Sequence, residues 1–161
     1  CLVWTHEGPP MVPPPYNDLY QIFQTPGYVV LFPELTNNSV RIIPTDGRPH
    51  ISDRIRQWPG DSRGRWEGDT LVVETTNFSD KTAFRGSGKD LHVVERFTLV
   101  DETTILYEFT VEDEASWSQP WSVEIPMVKT EGPMYEYTCH ERNYGMVNTL
   151  RGARRADKET P

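Results

Sequence analysis

Basic side chains are in short supply in this sequence: 16 Lys and Arg stand against 24 Asp and Glu, for a formal net charge of -8. That balance argues against a nucleic-acid partner and against docking on an anionic membrane, both of which need a basic face. Cysteine is scarce too, with only Cys1 and Cys139 in 161 residues. No C-x-x-C, H-E-x-x-H or H-x-H spacing occurs, so neither a metal site nor a cofactor is expected. No apolar run approaches the ~18 residues of a transmembrane helix. Gly60-Asp61-Ser62-Arg63-Gly64 matches the letters of G-x-S-x-G, but a hairpin rather than the strand-to-helix turn of a nucleophile elbow is expected after it, which leaves a serine hydrolase little support. There is no internal repeat and no signal-peptide pattern, and the abrupt opening at Cys1 fits a processed or trimmed start.

Three readings of the cysteine pair are open: a disulfide between Cys1 and Cys139, two free thiols, or a lipidated Cys1. The first and third imply export, because disulfides persist in oxidising compartments. A disulfide would also bring His6-Glu7 near His140-Glu141, although nothing in their spacing points to a metal.

The length fits one domain, which can bury ~70% of the surface its unfolded chain exposes. Residues 1–27 read as a Pro-rich arm. Gly8-Pro9-Pro10 and Pro13-Pro14-Pro15 forbid helix. Trp4, Tyr16, Leu19 and Phe23 make the arm too apolar for a solvated linker, so it straps onto the body or onto a neighbouring subunit, a route to a homo-oligomer. Residues 28–145 carry a period of two, with strands expected at 28–32, 40–43, 65–66, 70–76, 91–100, 104–112, 121–128 and 134–140. One or two helical turns are expected at 51–58, a loop at 61–64, and a helical tail over 146–161. About eight short strands joined by hairpin turns predict an all-β domain with minor α content. The expected architecture is an antiparallel meander curled into a lipocalin-like barrel.

Alternation then assigns faces. Leu91, Val93, Phe97 and Leu99 share the inner face with Glu95, and Ile105, Tyr107, Phe109 and Val111 face them from the next strand. A carboxylate in an apolar row must be paired, hydrogen-bonded or protonated. Glu95 is therefore either half of an internal ion pair with an Arg or Tyr, or a general acid–base group with its pKa raised by burial. Asp46-Gly47-Arg48-Pro49-His50 gathers a carboxylate, a guanidinium and an imidazole in one turn. It is a second catalytic candidate or else a salt-bridged surface turn. Arg63 and Trp66, in the Asp61–Trp66 segment, offer anion binding and stacking, with an ion-pair brace as the plainer alternative.

The run from Gly60 to Phe78 (GDSRGRWEGDTLVVETTNF), with Arg41–Pro44, Asp46–His50 and Leu91–Phe97, resembles a family of uncharacterised exported bacterial proteins. The resemblance implies a bacterial, exported protein with a precursor longer at its N-terminus, and it supplies no catalytic residues. Function is thus narrowed to three readings. The first is an internal pocket for a small, partly apolar molecule, with Glu95, Arg41 and Tyr107 as inner anchors and Trp66 and His50 at the entrance. The second is a non-metal acid–base enzyme (a hydrolase, lyase or isomerase) using Glu95 or Asp46 with His50 and Arg48. The third is an assembly module acting through the arm.

Overall fold

The computed structural model describes residues 8–13, 16–35, 40–81, 84–135 and 144–159. Strands β1 (Tyr20–Thr25), β2 (Tyr28–Pro33) and β3 (Arg41–Pro44) form a three-stranded sheet. Strands β4 (Asp61–Glu67), β5 (Thr70–Thr76), β6 (His92–Leu99), β7 (Thr104–Glu112) and β8 (Trp121–Val128) form a five-stranded one. Within each sheet every strand pairs antiparallel with its chain neighbours, as tight turns favour, and β3 and β4 alone do not pair. The molecule is mostly antiparallel β with one helix, α1 (Gly145–Glu159). No described helix is long and apolar enough to cross a membrane.

The expected barrel is not closed: among the described residues the strands form two separate sheets. The reason shows where β3 passes into β4. A Cβ on Gly64 would lie 2.9 Å from Ile43 Cγ2 and 3.0 Å from Thr45 Cγ2. The chain therefore crosses between layers by close face-to-face approach rather than by edge pairing, and only glycine permits that contact.

Other expectations shift as well. Residues 61–64 are the first half of β4 rather than a loop. The last part of the Pro-rich arm is a strand, because Pro26 followed by Gly27, whose φ is 81°, makes the turn that folds β1 onto β2. Residues 51–58 form no helix. The Asn77 amide takes the carbonyls of Ile51, Ser52 and Ile55 at 3.2, 2.9 and 3.1 Å, which a helix would have used internally. Cys1, Trp4, His6, Glu7, Cys139, His140 and Glu141 lie outside the described residues. So does most of the strand expected at 134–140, of which Met134 and Tyr135 are not in a strand.

The layers face each other through alternating rows. Register aligns Gly64, Val73, Glu95, Phe109 and Val123 across the five strands, with Trp66, Leu71, Phe97, Tyr107 and Ile125 in the next inward row. Val29, Leu31, Arg41 and Ile43 meet them from the smaller sheet and are buried. One end of the sandwich is closed. There Phe84, Phe109, Trp117 and Trp121 pack ring on ring at 5.4–6.5 Å, and buried Asp113 accepts backbone bonds from Gly88 and Ala115. Among the described residues the other end has no such cap.

Candidate functional site

Three groups of side chains bear chemistry, and the pleat decides which of them meet. At the centre, Glu95 on β6 is fully buried. Arg41, projecting inward from β3, donates to its two oxygens at 3.0 and 2.6 Å as a bidentate fork. The Tyr107 hydroxyl donates to Glu95 Oε1 at 2.7 Å and accepts from the Met11 backbone N–H at 2.8 Å. Ser62 Oγ accepts from Arg41 at 3.2 Å and shares a hydrogen bond with Thr75 Oγ1 at 2.9 Å. Arg41 Nε is buried without a hydrogen-bond partner among the described residues.

The three inner anchors expected from sequence thus converge, but on one another. Burial, the largest influence on Arg41, works to lower its pKa, yet the charge and hydrogen bonds of Glu95 outweigh it and the net shift is upward. Burial first and the Glu95 carboxylate second push the Tyr107 phenol well above its ordinary 10.0. A raised folded-state pKa contributes stability that is present at neutral pH and lost as pH climbs past the unfolded value. Tyr107→Phe should cost roughly 1–3 kcal/mol at pH 7, since it strips Met11 N–H and Glu95 of a partner. It should also flatten the loss of stability above about pH 10. Urea midpoints at pH 7 and 11 check both effects, and an unchanged alkaline slope would reject the phenol's part in it.

The second group lies on the opposite face of β4. His50 Nδ1 meets Asp61 Oδ2 at 2.8 Å, and Arg63 donates to Asp61 Oδ1 at 2.8 Å and to the Pro49 carbonyl at 2.9 Å. The Ile51 N–H also donates to Asp61, at 3.2 Å. His50 Nε2 is buried with no hydrogen-bond partner among the described residues. The partner of His50 is therefore Asp61 rather than Asp46. Asp46 instead binds Arg48, which donates from Nε at 2.9 Å and also from Nη2, and Arg48 further donates to the Tyr28 hydroxyl at 2.9 Å. The Arg48 hydrogen bonds hold the Asp46 carboxyl at about 2. This pair is a half-exposed surface brace of the kind that contributes little to stability. Strand alternation separates Asp61 and Arg63 from inward Ser62, so His50 does not share a face with Glu95, and Arg48 packs on Tyr28, which alternates with inward Val29 and Leu31.

The third group is the uncapped end. Ile22 and Gln24 on β1, Val29 and Leu31 on β2, and Trp66, Leu71, Phe97, Leu99 and Ile105 on the large sheet line a cleft of about 540 Å³. Trp66 also borders a second, shallower recess under Pro26-Gly27. Ile22, Trp66 and Leu99 occupy inward register positions yet are 40%, 46% and 60% exposed.

Sequence reasoning named Trp66 and put Phe97, Leu99 and Ile105 on inner faces, but missed the wall that β1 and β2 supply, because β1 was read as part of the arm. It also missed Asp61 as the partner of His50, Ser62 and Thr75 around Arg41, and Asn77. The left-handed φ of 60° at Asn77 leaves a trace only in residue type, since Asn tolerates that conformation best after glycine. No cluster of His, Cys, Asp or Glu among the described residues is suited to hold a metal.

Comparison with protein-family models, curated proteins and solved structures finds no match to this chain. The functional reading accordingly rests on geometry.

Proposed function

We propose that the chain is the ligand-binding domain of an exported bacterial protein, and that it holds a small, partly apolar molecule in the cleft at the open end of the sandwich. The observation that carries this reading is the exposure of Ile22, Trp66 and Leu99, apolar side chains that point between the sheets and are left uncovered among the described residues. Unfilled apolar surface inside a two-layer fold loses the contacts and the water release that a packed interior gains, and a ligand can supply both. The cleft volume lies within the ~300–1,000 Å³ typical of small-molecule sites. Export rests on the resemblance of the Gly60–Phe78 motif.

The site so proposed is displaced from the one the sequence suggested. Glu95, Arg41 and Tyr107 lie deeper and are engaged by one another, so in this reading they anchor the layers beneath the cleft rather than the ligand. Trp66 keeps its expected place at the entrance, whereas His50 and Arg63 stand on the far face of β4.

The test is a titration with the neutral fluorophore N-phenyl-1-naphthylamine, whose emission rises in apolar surroundings. Binding is expected in the wild type. Leu99→Trp and Ile22→Trp should each weaken it by about tenfold or more by filling the cleft, while the folding midpoint stays put because both positions are already exposed. Absence of binding, or binding indifferent to both substitutions, would reject the reading.

A second reading is favoured by one observation, the unpartnered Nε2 of His50 behind the Asp61–His50 hydrogen bond. A carboxylate that takes the Nδ1 proton fixes the imidazole tautomer and leaves Nε2 as a base. This relocates the acid–base reading from Asp46 and Glu95 to Asp61 and His50.

A further inference from the structure

We propose that the cleft selects amphipathic ligands with a positively charged head group. This rests on the ligand-binding reading above and adds to it the sign of the ligand's charge.

Among the described residues the polar side chains lining the cleft are Gln24 and Asp69, and no Lys, Arg or His lines it. Asp69 sits in the turn between β4 and β5, exposed at the mouth, and forms no ion pair among the described residues. Glu67, on the same turn, is by contrast satisfied by Arg65 and Arg96 at 2.8 and 3.0 Å. The neighbouring turn joins cleft residues Leu99 and Ile105 and carries Asp101 and Glu102. Two hydrogen bonds from Thr103 hold the Asp101 carboxyl below its usual range, which keeps it ionised. Register places both turns at one end of the sheet, since Thr70 pairs with Thr98 immediately behind them. Arg65 and Arg96 stand near these turns but are engaged by Glu67, and Lys129 comes to the same end through its backbone N–H, which bonds the Thr103 carbonyl. Lys129 lines a separate cleft between β8 and residues 11–20.

The mouth is therefore an apolar slot with carboxylates on its rim. The partly exposed Trp66 indole adds a ring face that attracts cations. The field of a chain with net charge -8 steers cations toward the protein and repels anions. An aliphatic or aromatic amine matches this pattern, with its hydrocarbon between the sheets and its ammonium beside Asp69. A fatty carboxylate would set like charge against like.

The discriminating experiment uses one chain length and three head groups. Decyltrimethylammonium, decanol and decanoate, each below its micelle concentration, compete with N-phenyl-1-naphthylamine for the full chain. The cation is expected to displace the fluorophore at about tenfold lower concentration than decanoate, with decanol between them. Added salt and Asp69→Asn should both narrow the spread and leave decanol unmoved. Equal or better competition by decanoate, with decanol active, overturns the charge preference and leaves the cleft standing. A cation advantage that survives Leu99→Trp also overturns it, because binding is then to the acidic surface at large. If no ligand displaces the fluorophore, or the fluorophore does not bind, the cleft reading falls and takes this inference with it.

Discussion

Glu95→Ala is expected to cost about 3–5 kcal/mol of folding stability, the largest effect of any single substitution considered for this protein. The reason is what stays behind. Arg41 has 4% of its side chain exposed and would keep its charge while losing both carboxylate oxygens. Only the neutral hydroxyls of Ser62 and Thr75 remain within reach, the latter at 3.5 Å, where a hydrogen bond is weak. Tyr107 would lose its acceptor at the same time. Against a typical total stability of ~5–15 kcal/mol, such a loss unfolds a large fraction of molecules at modest denaturant. Urea midpoints for wild type and variant measure it, and a difference below about 1 kcal/mol would show that the cluster is not closed as described.

Breaking the ion pair and removing it are different experiments. Burying two charges carries a desolvation cost that their attraction only partly offsets. The combined variant Arg41→Met, Glu95→Leu, Tyr107→Phe should therefore recover most of the loss, provided Met11 keeps its place. What the native cluster supplies is register: it ties β3 of one layer to β6 and β7 of the other, and through Tyr107 it ties residue 11 to both. The same enclosure argues against Glu95 as a general acid or base. Both oxygens are engaged by protein donors and the group is shut off from solvent. Catalysis by Glu95 predicts that Glu95→Gln abolishes turnover while folding survives, whereas the structural role predicts lost stability.

How much of this was legible follows from the range of the signal. Period-two alternation is local, so the strands at 104–112 and 121–128 and the inward set of Glu95, Tyr107 and Phe109 can be read directly. The long-range statement that Glu95 needs an internal Arg or Tyr is also legible, because burial of charge leaves few alternatives. Which Arg answers it is not, since Arg41 is 54 positions away and arrives only through the stacking of two sheets. The barrel failed for the same reason: hairpin turns specify neighbours, not whether the outermost strands meet. The β1–β2 hairpin was readable from Pro26-Gly27 but was overshadowed by the prolines upstream. The pairing of His50 with Asp61 was hidden differently. Asp46 is nearer in sequence and carries an equal charge, but Arg48, two residues from it, closes on it locally first.

Asp61→Ala is the second substitution with a large expected effect, about 2–4 kcal/mol, and it decides what the His50 site is for. Asp61 accepts from a guanidinium, an imidazole and a backbone N–H while its side chain is 8% exposed. Hydrogen bonds to a charged group are each worth ~1.5–3 kcal/mol, and the vacated donors would be left partly buried. Loss of this acceptor frees the chain between His50 and β4, so amide exchange at Ile51 should accelerate beyond the global change in stability. Asp61→Asn retains an acceptor oxygen and should cost less. It also removes the charge that directs the imidazole proton to Nδ1, and nitrogen-15 spectra of His50 would then show a shifted tautomer balance. If His50 serves only to brace the turn, that shift has no further consequence and the fluorophore binds the cleft as before. If His50 Nε2 is a base, a change of tautomer without loss of fold must move the pH profile of whatever reaction the protein performs. A stable Asp61→Asn protein with unaltered His50 spectra would remove the premise of both outcomes, because the carboxylate would then not be what orients the ring.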